Sequence, residues 1–288
     1  MNRAYFRTSL SAIVFLLSYY NSVMISQIDM PAASPLFSVV GKIGLTEVKV
    51  DYSRPSARGR EVFGNIVPFN EVWRTGANAS TKISFSKDVK LNGHPVEAGT
   101  YALYSMFQED SVTVILHSNL DLYGVLGYNE KEDYLRFKVK VKHPSSHYET
   151  MTVSFSDFTK QSAHFNLKWE HTKMMFLIET EVDTYVMADI KEKLINDEGA
   201  SIETYFQAAQ YYFQNDKDLN QALEWVTIAV DRSDNVQYWV LHLRAKINHA
   251  LGHDAASMED AQRSLDHAKR GGNMDYVRLN QALLEKLK

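Results

Sequence analysis

The sequence predicts an all-β antiparallel domain, of sandwich or jelly-roll-like form, followed by an all-α module of helical hairpins. Hydrophobic residues recur with period two up to about Glu179, between closely spaced turn residues, and with spacing three and four from Asp183 onward. Charge divides at the same place. From Glu181 onward 12 Lys/Arg stand against 18 Asp/Glu, a net −6. With −4 for all 288 residues, the rest of the chain carries +2.

The first 26 residues read as a secretory signal peptide. Arg3 and Arg7 form its positive start, Leu10 to Leu17 its short apolar stretch, and polar Tyr19, Tyr20, Asn21 and Ser22 follow. Cleavage after Ser26 leaves Gln27 first, with an uncleaved N-terminal anchor as the alternative. The apolar run falls short of the ~18 residues that span a bilayer, so no membrane span is expected after cleavage.

Residues 38–179 form the expected β-sandwich domain. Val48-Lys49-Val50-Asp51-Tyr52 alternates, as does Lys82-Ile83-Ser84-Phe85-Ser86. Asn92-Gly93 between Val89-Lys90-Leu91 and His94-Pro95-Val96 is a strong hairpin signal, because both turn residues tolerate positive φ. Tyr101 to Met106 and Val112 to Leu116 flank a polar turn. Leu135 to Lys142 alternates with its lysines on one face, expected to be solvated or to protect an edge. Met151 to Phe155, His164 to Trp169 and Met175 to Ile178 complete the set.

Residues 183–288 form the expected helical module. Asp183 to Leu194 reads as a connecting helix. Tyr205, Ala208, Ala209 and Tyr212 mark the next one, and Ala222, Trp225, Val226 and Ala229 another. Ala222 and Ala229 recur 35 residues later as Ser257 and Ser264. Small residues repeated near that period, where helices must approach closely, resemble the tetratricopeptide signature. A generic array of α-hairpins is the alternative. Asn273 to Leu287 is the expected capping helix.

Composition narrows the function classes. The chain has no cysteine, which removes disulfides, thiolate chemistry and lipid attachment at a lipobox. A net charge of −4 argues against nucleic acid as a partner. His117, His143, His147, His164 and His171 lack the spacing of a metal motif, so neither metal nor other cofactor is expected. Asp51, Glu71, Asp157 and Glu170 are the carboxylates available for acid–base work, and no Gly-x-Ser-x-Gly elbow occurs.

The densest chemistry lies between Tyr52 and Thr81, where Arg54, Arg58, Arg60, Trp73, Arg74 and Asn78 are the candidate ligand-binding residues. Guanidinium forks suit carboxylates and phosphates, and an indole face can wall a ligand. The other reading makes Arg54 and Arg74 clamps that bind Asp51, Glu71 or loop carbonyls and hold a long crossover loop onto the sheet.

Ser53-Arg54-Pro55, Gly59-Arg60, Phe63-Gly64, Val67-Pro68, Val72-Trp73-Arg74-Thr75-Gly76-Ala77-Asn78 and Ala98-Gly99-Thr100-Tyr101-Ala102-Leu103-Tyr104 resemble the bacterial family known as domain of unknown function 2911. Phe155-Ser156-Asp157 and Leu167-Lys168-Trp169-Glu170 are similar to its later strands. One departure is Val96-Glu97-Ala98-Gly99, where the family favours proline before Ala-Gly. The resemblance implies an exported protein, with tetratricopeptide-like tails in some members, and supplies no reaction.

The expectation is therefore a periplasmic or secreted, non-catalytic binding or scaffold protein of the cell envelope. Its β-domain would hold a polar or anionic small molecule, and its repeats a protein partner. The alternative is an envelope carbohydrate-active hydrolase with the arginine–tryptophan loop as its cleft.

Overall fold

Period-two alternation becomes strand throughout the first part of the chain. The computed structural model describes residues 30–195 and 199–288, and the expected signal peptide lies outside the described residues. The strands are β1 (Leu36–Ile43), β2 (Thr46–Ser53), β3 (Val72–Trp73), β4 (Ala77–Phe85), β5 (Val89–Leu91) and β6 (His94–Val96). Then come β7 (Gly99–Phe107), β8 (Ser111–His117), β9 (Asp133–Lys142), β10 (Tyr148–Ser156), β11 (Ser162–Glu170) and β12 (Thr172–Thr180). Asn92 and Gly93 take left-handed φ values of 50° and 84° and close the β5–β6 hairpin, as their residue types require.

Neighbouring strands run antiparallel in the order β1-β2-β4-β7-β8-β9-β12-β11-β10. The first six of these form a meander, and β9 to β12 form a Greek key in which β12 returns beside β9. The expected sandwich of two sheets is replaced by one sheet that curls into a nearly closed barrel. Two connections cause this. β9 pairs with β8 and, through Val141 and Lys142, also with β12. The chain just after β2 joins β10: Ala57 N–H donates to Glu149 O at 2.8 Å, and Met151 N–H to Pro55 O at 2.9 Å.

Alternate residues of these strands, including Val48, Val50, Ile83, Leu103, Phe165, Leu167 and Phe176, fill one apolar core. The long segment between β2 and β3 is packed onto it, with Val62 and Val67 buried and the Phe63 ring 4.7 Å from that of Phe107. Each such side chain withdrawn from water stabilises the fold by about 1.5–3 kcal/mol before entropy is counted.

Six helices follow: α1 (Val182–Ile190), continued by a π turn at Lys191–Ile195, α2 (Ile202–Gln214), α3 (Leu219–Asp231), α4 (Tyr238–Ala250), α5 (Asp254–Arg270) and α6 (Met274–Lys286). Short polar residues cap them. Ser201 Oγ accepts from Thr204 N–H at 3.1 Å, Asp218 Oδ1 from Asn220 N–H at 2.9 Å, and Asn273 Oδ1 from Tyr276 N–H at 3.1 Å. From α2 to α6 each helix packs on the next. Ala222, Ala229, Ser257 and Ser264 are fully buried at these contacts. Ser257 Oγ donates to Ala245 O at 2.8 Å, and Ser264 Oγ to Tyr238 O at 2.6 Å.

The helices meet the barrel through few side chains. Lys160 Nζ donates to Gln214 O at 2.8 Å, at the negative end of α2, and Lys90 pairs with Glu181 at 2.7 Å. Among the described residues no helix is long and apolar enough to cross a membrane.

Candidate functional site: the arginine loop

The chain leaves β2 at Ser53 and wanders over one end of the barrel before entering β3 and β4. Three of its four arginines fold back on the protein. Arg54 Nε donates to Met151 O at 3.1 Å and Nη2 to Thr152 Oγ1 at 3.0 Å. Arg58 has a left-handed backbone with φ 54°, and its Nη2 donates to Ala33 O at 3.0 Å. Arg60 closes its own turn, with Nε and Nη2 each 2.9 Å from Ala57 O and Ser56 O. Arg54 thus takes its acceptors from β10, Arg58 from Ala33 ahead of β1, and Arg60 from its own loop.

Trp73 is only 7% exposed. Its ring stacks on Trp169 with centroids 6.0 Å apart, and Nε1 donates to Gly76 O at 3.1 Å. The expected stacking wall is therefore part of the core, because β3 pairs with β7 and turns the indole inward.

The Trp-Arg-Thr-Gly-Ala-Asn string makes a turn locked from within. Thr75, at φ 53°, is fully buried and exchanges a 2.8 Å hydrogen bond with Ser105. Thr81 Oγ1 donates to Thr75 O at 2.6 Å. Gly76 is closely hemmed in: a Cβ there would stand 3.0 Å from Thr81 Oγ1 and 3.2 Å from Ser53 O.

This turn leaves Arg74 in a different situation from its neighbours. Its Nε is buried with no hydrogen-bond partner, and no carboxylate among the described residues pairs with it. The guanidinium lies against the loop between β8 and β9, with Nη1 3.1 Å from where a Gly124 side chain would begin. That loop is fastened to the start of β4. Gly124 N–H donates to Asn78 O at 3.2 Å, and Tyr123 Oη donates to Asn78 Oδ1 at 3.4 Å. Asn78 in turn reaches Ser34 O and Ser53 Oγ, both at 3.3 Å.

Tyr104 lies beneath, donating to Gly124 O at 3.0 Å. Burial raises its phenol pKa, against the opposing effects of Ser80 and Arg74. Lys82 completes the group, donating to Ser80 O at 3.0 Å. Burial lowers its ammonium pKa, and Asp121 acts against that shift. The result is a partly desolvated patch with two cations and one nearby carboxylate, rimmed by hydroxyls and an amide. Such a patch can hold a small anion or a sugar acid.

The structure thus splits the six expected residues. Arg54, Arg58 and Arg60 gather along the seam toward β10, Trp73 joins the core, and Arg74 and Asn78 meet the β8–β9 loop. Ser80, Lys82, Tyr104 and Tyr123 were not picked out by sequence reasoning. The alternation of β4 places Lys82 outward, but nothing local marks Tyr123 or Gly124 as its neighbours. Three of the four carboxylates have contacts of their own, Asp51 with Lys49 at 2.8 Å, Asp157 with His164 at 3.4 Å and Glu170 with Val62 N–H at 3.0 Å, while Glu71 is exposed.

The fold and this patch define a β-barrel protein with an appended helical region. The chain belongs to the family described as Protein of unknown function (DUF2911), whose model matches residues 34–178. No curated protein and no solved structure matches it.

Proposed function

We propose that this protein is an exported, non-catalytic binding protein of the bacterial cell envelope, whose barrel holds a small anionic ligand at Arg74. The observation that carries this is that Arg74, alone among the four loop arginines, has no acceptor among the described residues. A buried guanidinium nitrogen without a partner is costly, and a bound carboxylate or phosphate relieves that cost with paired, charge-assisted hydrogen bonds. Lys82 is the supporting donor, and Asn78 holds the β8–β9 loop beside it. The helices serve as a tetratricopeptide-like platform for a protein partner. The equivalent burial of Ala222 with Ser257 and of Ala229 with Ser264, each 35 residues apart, supports that reading. The positive start and short apolar run before Gln27 support export.

Titration calorimetry of the full protein with glucuronate, citrate and inorganic phosphate tests the ligand site. At least one should bind, and Arg74→Lys should weaken it about tenfold by losing the bidentate fork while melting stays unchanged. Absence of binding by all three, or equal binding by the variant, overturns the reading.

A further inference from the structure

The outer face of the barrel carries a second cationic feature, on β9, β12 and β11. Lys138, Lys140 and Lys142 alternate with buried Phe137 and Val139, so all three point outward. At the end of β9 the sheet register sets Lys142 directly opposite Lys173, and Lys173 directly opposite Lys168 on the next strand. Three ammonium groups therefore stand in a row across three adjacent strands, at the ~4.8 Å strand spacing.

Like charges directly opposite each other in a sheet are destabilising. No carboxylate lies within ion-pair distance of any of these five lysines among the described residues, and Lys168 sits 5.2 Å over the Tyr148 ring. The lysines affect one another: the Lys173 ammonium pKa is lowered by burial and then by Lys168 and Lys142, with Asp157 acting in the opposite sense. Edge protection accounts for Lys138 and Lys140, whose β12 side is unpaired. It does not account for Lys173 and Lys168, because β12 and β11 are each paired on both sides there.

The face excludes several partners by its chemistry. No large apolar side chain is exposed along residues 138–142 or 168–173, so it lacks the anchor that bilayer binding adds to basic charge. It likewise lacks the exposed tryptophan, tyrosine and arginine that dominate protein interfaces. Hydroxyls flank it instead: Thr113 stands opposite Lys138, Ser111 opposite Lys140, and Thr152 opposite Lys168.

We infer that the Lys142–Lys173–Lys168 row, extended by Lys140 and Lys138, is a docking face for a linear acidic polysaccharide. The lysines meet its carboxylates, and the flanking hydroxyl oxygens accept from its sugar hydroxyls. This surface is separate from Arg74 and does not depend on the ligand proposed there.

Binding of the full protein to polygalacturonate tests this, with dextran as the uncharged control and phosphatidylglycerol vesicles as a second probe. The wild-type protein should bind polygalacturonate, not dextran, and the affinity should fall steeply as salt rises. The triple variant Lys142→Gln, Lys168→Gln, Lys173→Gln should bind at least tenfold more weakly. It should melt no lower than wild type, because repulsion has been removed. The corresponding triple arginine variant should keep binding. No binding by the wild type, undiminished binding by the glutamine variant, or capture by vesicles in place of polygalacturonate would each overturn the proposal.

Discussion

Arg54, which follows β2, reaches Thr152 on β10 at the seam where the end strands of the sheet, β1 and β10, are left unjoined. The guanidinium lies 4.8 Å over the Phe37 ring and donates from Nη2 to Thr152 Oγ1 at 3.0 Å, across a gap that no ladder of backbone hydrogen bonds fills. Among the described residues only the Pro55–Ala57 segment bridges the seam by backbone, at Glu149 and Met151.

Arg54→Lys keeps the charge and removes the fork, leaving Met151 O or Thr152 Oγ1 without its donor. The expected loss is about 1–3 kcal/mol, the cost of a part-buried acceptor left unmade. Urea unfolding followed by fluorescence measures it. A variant as stable as wild type would mean that the backbone bridge alone holds the seam.

In the helices, Arg244 and Asp260 form a bidentate pair, Nε to Oδ2 at 2.7 Å and Nη2 to Oδ1 at 2.8 Å, with the Asp260 side chain 4% exposed. Asp260→Asn leaves a buried guanidinium without its counter-charge, at an expected cost of about 3–5 kcal/mol. The pair Arg244→Met with Asp260→Leu should recover most of that loss, since desolvation of both charges is then avoided. Thermal melts of wild type, single and double variants decide the matter. Equal stability of wild type and Asp260→Asn would show that Asp231, 3.9 Å from Arg244, substitutes for Asp260.

His242 gives the helical region an acid-side weakness. Its Nδ1 donates to Asn280 Oδ1 at 2.8 Å, while Asn280 Nδ2 donates to Ser264 Oγ at 2.8 Å and to Tyr276 O at 2.7 Å. Burial lowers the His242 pKa below its ordinary value, Asn280 opposes this, and nearby Lys246 adds to it. The Tyr276 ring, 5.5 Å away, covers another side. A histidine with a lowered folded pKa binds fewer protons folded than unfolded. Stability is therefore full above about pH 6.5, falls as pH drops below that value, and levels off below the folded pKa. Melting temperatures of wild type and His242→Gln between pH 7.5 and 4.5 should converge on the acid side. Parallel curves would remove His242 from the account.

Much of the architecture was legible locally. Val48 to Tyr52, Leu135 to Lys142 and His164 to Trp169 alternate in sequence and lie within β2, β9 and β11. Ser201 and Asp218 precede helical spacing and cap α2 and α3. The two-residue β3 is too short to show a period, and pairing with β7 alone creates it. Trp73 read as a wall for a ligand beside the loop arginines. Its burial depends on Trp169, which stands 96 residues further along the chain.

Sequence alone determined the change from strand to helix near Glu179, the turn at Asn92-Gly93 and the family of the barrel. These depend on backbone preferences and periodicity that act over a few residues. Tertiary structure decided which arginines are used up and which lysines face each other. A guanidinium takes whatever acceptor the fold brings within 3 Å. For Arg54 that acceptor is on β10, and for Arg74 there is none among the described residues. The Lys142–Lys173–Lys168 row exists only because two strand registers align it. Such contacts join residues far apart in the chain, and local preference carries no information about them.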